Sequence, residues 1–199
     1  MIQHRTCLAN GVASLAATAV ALGALAAATG AYAQDPVQGT VGMDAQVAQV
    51  CVLGTPTPGA LALGQISEAS GTRVGRLATI ASQSIQLPGT FCNYAGAALA
   101  ITASPLAVTT TTQAGFVGSV DYTCTISAWG ATSATVRTSA TNASGVGSPS
   151  TNAAPQETDL TLVVSDFATA SDDLLQPGAY LALVTITLGP DAGLAASGS

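Results

Sequence analysis

Apolar residues in this chain recur at every second position, in short runs, and that spacing is what most restricts its fold. Val120, Tyr122, Cys124, Ile126 and Ala128 alternate with Asp121, Thr123, Thr125 and Ser127. Leu160, Leu162 and Val164 alternate with more polar neighbours, and Val41, Met43, Ala45 and Val47 alternate with Gly42, Asp44 and Gln46. Successive side chains of a β-strand face opposite sides of its sheet, so each run buries one face and wets the other. The run from Tyr180 to Leu188 is apolar on both faces, which suits a central strand or one sandwiched between layers.

Further strands are expected near 61–66, 83–92, 97–103 and 134–138. Turn chemistry separates the runs: Pro56 to Gly59, Pro88-Gly89 and Pro177-Gly178 interrupt pairing and set tight bends. No amphipathic helix is expected after residue 33. Many short strands at this spacing predict an all-β chain, an immunoglobulin-like β-sandwich over 49–188. Residues 139–156, small and polar, read as a long flexible loop, and 189–199 as a flexible tail.

Residues 1–33 read as a cleavable signal peptide. Arg5 and His4 precede an uncharged run, Val12 to Ala28, and Ala31-Tyr32-Ala33 follows it. Small residues at the first and third places of that triplet fit a signal peptidase pocket. The rival reading is a membrane anchor, since roughly 20 apolar residues can cross a bilayer. The run is rich in alanine rather than leucine, and no basic stop-transfer cluster follows it, so cleavage is the reading adopted. It places the domain in the periplasm, at the cell surface or outside the cell, with no membrane insertion after cleavage.

From residue 34 on there is no lysine and no histidine, and three arginines (Arg73, Arg76, Arg137) face ten carboxylates, a formal net charge of −7. Without histidine, a Ser-His-Asp or Cys-His unit and an ordinary zinc site cannot be built. Three arginines cannot neutralise a track of phosphates, so nucleic acid and anionic lipid are not expected partners. A pair of carboxylates could still do glycosidase chemistry. The one adjacent pair, Asp172-Asp173, falls in a predicted loop and reads as solvated surface. Calcium needs six or more oxygens, and no D-x-D-x-D-G loop supplies them. No metal, cofactor or catalytic residue is expected, and the chain is read as not an enzyme. Hydrophobic residues make up 48% of the chain and charged residues 7%. Low charge at that hydrophobicity does not imply disorder. A surface of Thr, Ser, Ala, Gln and Asn tolerates close packing against copies of itself.

Three cysteines remain after the expected cleavage: Cys51, Cys92 and Cys124. Export implies an oxidising compartment, and sequence alone allows three pairings. Cys51 and Cys92 lie at the edges of predicted strands, while Cys124 lies on the apolar face of its own. The preferred arrangement pairs 51 with 92 and leaves 124 free and buried as a small hydrophobe.

The spacing Val41-x-Met43-x-Ala45-x-Val47-x3-Cys51 resembles the N-terminus of the spore coat protein U family, which includes the archaic chaperone–usher pilins. Ile85-x-Leu87-Pro88-Gly89-Thr90-Phe91-Cys92 is similar to the strand that carries the family's second cysteine. Gly178-Ala179-Tyr180, then Val184-Thr185-Ile186-Thr187-Leu188, is similar to its closing strand. The chain departs from the pattern between 100 and 156 and after Leu188. The resemblance implies a sandwich lacking one strand, whose groove is filled by the N-terminal segment of the next subunit. The donor would be residues 38–48, within an N-terminal extension of 34–48, with Val41, Met43, Ala45 and Val47 as the groove-filling side chains. The other reading of the same residues is a first strand of the chain's own sandwich.

The expected function is therefore a fimbrial or biofilm-matrix subunit, with self-association or a periplasmic chaperone as its partner. The alternative is a secreted carbohydrate- or surface-binding module. For that role Trp129, with Tyr94, Tyr122, Tyr180 and Phe116, would supply a stacking face, although a lone Trp in a sandwich is more often core.

Overall fold

The computed structural model describes residues 38–140 and 145–190. The expected signal peptide, residues 141–144 and the expected tail beyond Pro190 lie outside the described residues; Gly189 and Pro190, expected to open that tail, instead close the last strand. The chain divides into two units, Met1–Ala45 and Gln46–Ser199. In the first, residues 38–45 are exposed and have no regular secondary structure.

The second unit is built of strands. In chain order they are β1 (Cys51–Val52), β2 (Gln83–Cys92), β3 (Ala97–Ala103), β4 (Leu106–Val108), β5 (Phe116–Val117), β6 (Ser119–Ile126) and β7 (Ala134–Arg137). After these come β8 (Gly145–Val146), β9 (Ser150–Thr151), β10 (Gln156–Ala168), β11 (Leu174–Leu175), β12 (Tyr180–Leu181) and β13 (Val184–Pro190). Among the described residues the only helical element is a short 3-10 turn at Gly71–Arg73. The fold is all-β, with antiparallel sheets in a curled, sandwich-like arrangement. One sheet runs β1-β2-β10-β6-β4-β12, with β7 also on β6; another runs β13-β3, with β8 and β9 on the far side of β3.

The alternating runs explain the layers. β6 half-covers and buries successive residues in turn, and Val120, Tyr122, Cys124 and Ile126 all point into the core. On β10, Leu160, Leu162 and Val164 do the same and lie opposite β2 and β6. Leu87, Leu99, Ile101 and Trp129 complete the buried centre. Pro88 sits inside β2, where it cannot donate to a ladder. The β2–β10 register shifts between Thr158 and Leu160, and the Gly89 amide donates to the Asp159 carboxylate at 2.8 Å instead. The bulge is the local answer to a proline in a long strand.

Three sequence expectations are corrected. Residues 61–66 form no strand; they run as a loop in which Leu61, Leu63 and Ile66 pack on the core. The stretch 145–152 is not a free loop. β8 and β9 pair with β3, and the buried Asn152 fastens the stretch: its carbonyl oxygen accepts from the Ala97 amide at 2.7 Å, and its NH2 donates to Tyr94 O and Ala154 O. Finally, the run 180–188 is not one central strand. It breaks at Ala182-Leu183 into β12 in one sheet and β13 in the other, and both halves stand at an edge.

Cys51 and Cys92 are bonded to each other, with Cα atoms 4.2 Å apart, and they lie opposite one another in the β1–β2 ladder. Their sequence separation of 41 sets the loop they close, and a loop of that size is worth about 4 kcal/mol in the chain-entropy model. The paired substitution Cys51→Ser/Cys92→Ser is expected to lower unfolding free energy by about that amount, read as a lower urea midpoint with a larger m-value, because the uncrosslinked unfolded chain exposes more surface. An unshifted midpoint would contradict it.

Candidate functional site

Val41 and Met43 are 88% and 92% exposed, and Val47 is 89% exposed. Ala45 is exposed as well. These four alternating apolar side chains therefore make no core. No strand of the described residues pairs with 38–48.

A second unsatisfied element lies in the second unit. β13 pairs in full register with β3, from Val184 opposite Ala103 to Pro190 opposite Ala97. Among the described residues no strand pairs with its other side. Val184, Ile186 and Leu188 point toward the core yet remain half-covered, while Thr185 and Thr187 are exposed. Just before β13, Leu181 and Leu183 are 67% and 69% exposed. Beside the start of this edge is an apolar cavity of about 460 Å³, lined among others by Leu61, Leu63, Ile85, Leu162, Val184 and Ile186. Edge strands are ordinarily blunted by charge, proline or a bulge, and β13 carries none of these before its last residue, Pro190. The site is thus an open apolar groove beside a bare ladder edge, suited to receive one more strand.

Of the aromatic and cysteine candidates, Trp129, Tyr122 and Cys124 are in the core, while Tyr94, Tyr180 and Phe116 are half-buried. Trp129 is 1% exposed, and its indole N–H donates to Ala97 O at 2.9 Å. Its backbone carbonyl accepts from the Gln156 amide at 2.6 Å. The proposed stacking role for Trp129 is corrected: the ring fills the space between the sheets and has no face for a ligand. Tyr122 is buried too and donates to Ser104 O at 2.7 Å. Cys124 is free and fully buried; burial pushes its thiol up to about 12.

Three carboxylates, Glu68, Asp166 and Asp172, do line one broad, open hollow. Sequence reasoning did not foresee how Asp172 is held. The Arg73 guanidinium grips it in a fork at 2.7 and 2.9 Å, and Arg76 approaches to 3.3 Å. The hydrogen bonds from Arg73 hold the Asp172 carboxyl below the usual carboxylate range. A general acid needs the opposite shift. Asp173 accepts a hydrogen bond from Ser171 at 2.6 Å. Among the described residues no helix is long and apolar enough to cross a membrane. No family model, curated protein or solved structure matches the chain.

Cys124 gives a pH-dependent expectation. The folded thiol titrates at about 12, against 9.0 for an ordinary cysteine. Well below the ordinary value both states hold the proton and the stability is fully present. As pH rises through the ordinary value toward the folded one, the unfolded chain loses its proton first, and stability falls. Cys124→Ala should flatten part of that decline in urea titrations run across this alkaline range. In the native chain near neutral pH, Cys124 should resist a disulfide-exchange reagent and react only on unfolding, as read by peptide mass spectrometry. Rapid native labelling of Cys124 would overturn this reading.

Proposed function

We propose that this is an exported structural subunit of the bacterial surface that assembles by β-strand addition. In this reading residues 38–48 of one copy fill the open edge of β13 in the next. The chain would be a divergent relative of the spore coat protein U and archaic pilin family, with an immunoglobulin-like sandwich short of one strand. Export rests on the sequence of residues 1–33 and suits the Cys51–Cys92 bond.

One observation carries the reading: donor and acceptor are both present in one sequence and both unsatisfied. The donor has four apolar side chains at period two, exposed. The acceptor has three at period two, half-covered, on a strand with one free side. The donor is long enough: β13 spans seven residues, about 24 Å at about 3.4 Å per residue, and the alternating run Val41 to Val47, also seven residues, covers the same length when extended. Charge agrees as well. The segment's single charge, Asp44, lies on the opposite face from Val41, Met43, Ala45 and Val47, so it need not be desolvated. A one-residue slip would turn the apolar set outward, which fixes the register. A second copy is favoured over an unrelated peptide because every copy supplies one donor and one acceptor. Such a heterologous contact builds an open chain of subunits.

Burying an apolar side chain is worth about 1.5–3 kcal/mol. Replacing two by aspartate, in Val41→Asp/Met43→Asp, should therefore weaken assembly by roughly a hundredfold or more, with the folded domain unchanged by circular dichroism. Light scattering after size-exclusion chromatography reads the mass distribution. If the doubly substituted chain assembles as the parent does, the reading fails.

A further inference from the structure

Residue 93 sits where the exposed segment joins the domain. The Asn93 amide N–H donates to Val50 O at 3.1 Å and so carries the β1–β2 ladder one step past Cys51. Its side chain then does two more things. The Oδ1 atom accepts from the Val50 amide at 2.8 Å, and the NH2 group donates to Ala48 O at 2.8 Å. One side chain thus holds the backbone on both sides of Gln49, next to a disulfide that fixes Cys51. The next residue, Val47, is 89% exposed.

The direction of the chain at this joint matters. From Cys51 to Thr57 it runs antiparallel to β2, from the level of Cys92 to that of Gln86. The apolar cavity lies at the level of Ile85, seven positions along β2 from Cys92 and about 24 Å away at about 3.4 Å per residue. Followed the other way, through Val50 to Ala48, the chain heads past the end of β2 and away from that cavity. Length does not prevent a copy from filling its own groove, because about ten extended residues reach about 33 Å. Doing so would require the chain to reverse near 48–50, where Asn93 holds both Ala48 and Val50.

We propose that Asn93 is a positioning residue for assembly: by clamping Ala48 and Val50 in line with β1, it aims the donor segment at another copy and denies it the groove of its own. This rests on the strand-addition reading, and the experiment separates the two. Asn93→Ala is made in the full chain, exported and purified. It is also made on the Val41→Asp/Met43→Asp background, whose donor is disabled. A synthetic peptide of residues 38–48 is titrated onto the disabled chains by fluorescence polarisation. With the donor intact, Asn93→Ala should shift the mass distribution at least tenfold from oligomer toward monomer. In that monomer the amides on the free side of β13, those not bonded to β3, should be protected from hydrogen exchange, as a self-filled groove requires. On the disabled background Asn93→Ala should leave the peptide affinity within twofold. A merely structural Asn93 would give monomers with those free-side amides unprotected, or no change in oligomers, and either result overturns the proposal while peptide binding preserves strand addition. A peptide that binds neither disabled chain removes both. If Asn93→Ala does not fold, Asn93→Asp keeps the acceptor for the Val50 amide and loses only the donor to Ala48, and the same outcomes apply.

Discussion

A strand with ladder bonds on one side only is the constraint on which the rest of this structure turns. β13 has the composition of a central strand and the position of an edge. Water can solvate its free amides and carbonyls at little cost. It cannot do so for Val184, Ile186 and Leu188, which face inward and stay half-covered. The chain partly answers this by switching sheets at Ala182-Leu183, so that Tyr180 still reaches the core and donates to Gln176 O and Val117 O. The loop through Leu61 and Leu63 covers one flank. A strip of apolar surface with a bare backbone edge remains.

The end of the sandwich at which β13 finishes is fully tied. Cys51–Cys92, Asn93, Asn152 and Gln156 converge where the first strand, the β2–β3 turn and the start of β10 meet. Apart from the disulfide, the ties are neutral amides. This follows from the composition: with 7% charged residues, the chain can form few ion pairs, and a carboxamide can donate and accept at once. Asn152 and Asn93 each use both functions on backbone groups that would otherwise lack partners. Among the described residues every buried side-chain polar atom has a partner. Such ties do not titrate. The arginine–carboxylate cluster on Asp172 is exposed and lies elsewhere, so it contributes little to this rigidity.

Much of the fold was legible because period two is a local signal. β2 and β3 fall on 83–92 and 97–103 as expected, and the alternation of 119–126 and 160–164 marks the faces that pack inward. What was not legible depended on distant partners. Residues 145–152 look like linker, and only the Asn152 side chain, reaching Ala97 across the fold, makes them part of a sheet. Residues 61–66 have strand composition but find no ladder to join, since β1 and the Thr57–Gln86 bridge take the nearby edge of β2. Trp129 follows a predicted strand in a glycine turn, and the expectation that a lone Trp in a sandwich is core holds; its partners, Ala97 and Gln156, are announced by no local pattern. Of the candidate site, the donor-like alternation could be read directly. The open edge could not, because an apolar run looks the same whether its second neighbour is present or missing. Asn93 gave no sign at all, since its role lies in hydrogen bonds to residues 43 and 45 positions earlier.

On the strand-addition reading, these features have a common cause. An isolated strand of about ten residues has no stability of its own in water, and its apolar face stays wet wherever it points. A sandwich with one bare edge is stable but sticky, and charge would normally guard that edge. Here charge has been withheld from both elements, from Val184–Gly189 entirely and from the donor except at Asp44, on its far face. Guarding either one would cost the desolvation of a buried carboxylate or guanidinium at the moment of pairing. Leaving both bare makes pairing favourable with any copy, the chain's own included. Specificity for a neighbour must then come from geometry rather than from charge. The rigid end of the domain is where that geometry can be imposed, which is why an uncharged amide beside the disulfide can decide whether the chain closes on itself or grows.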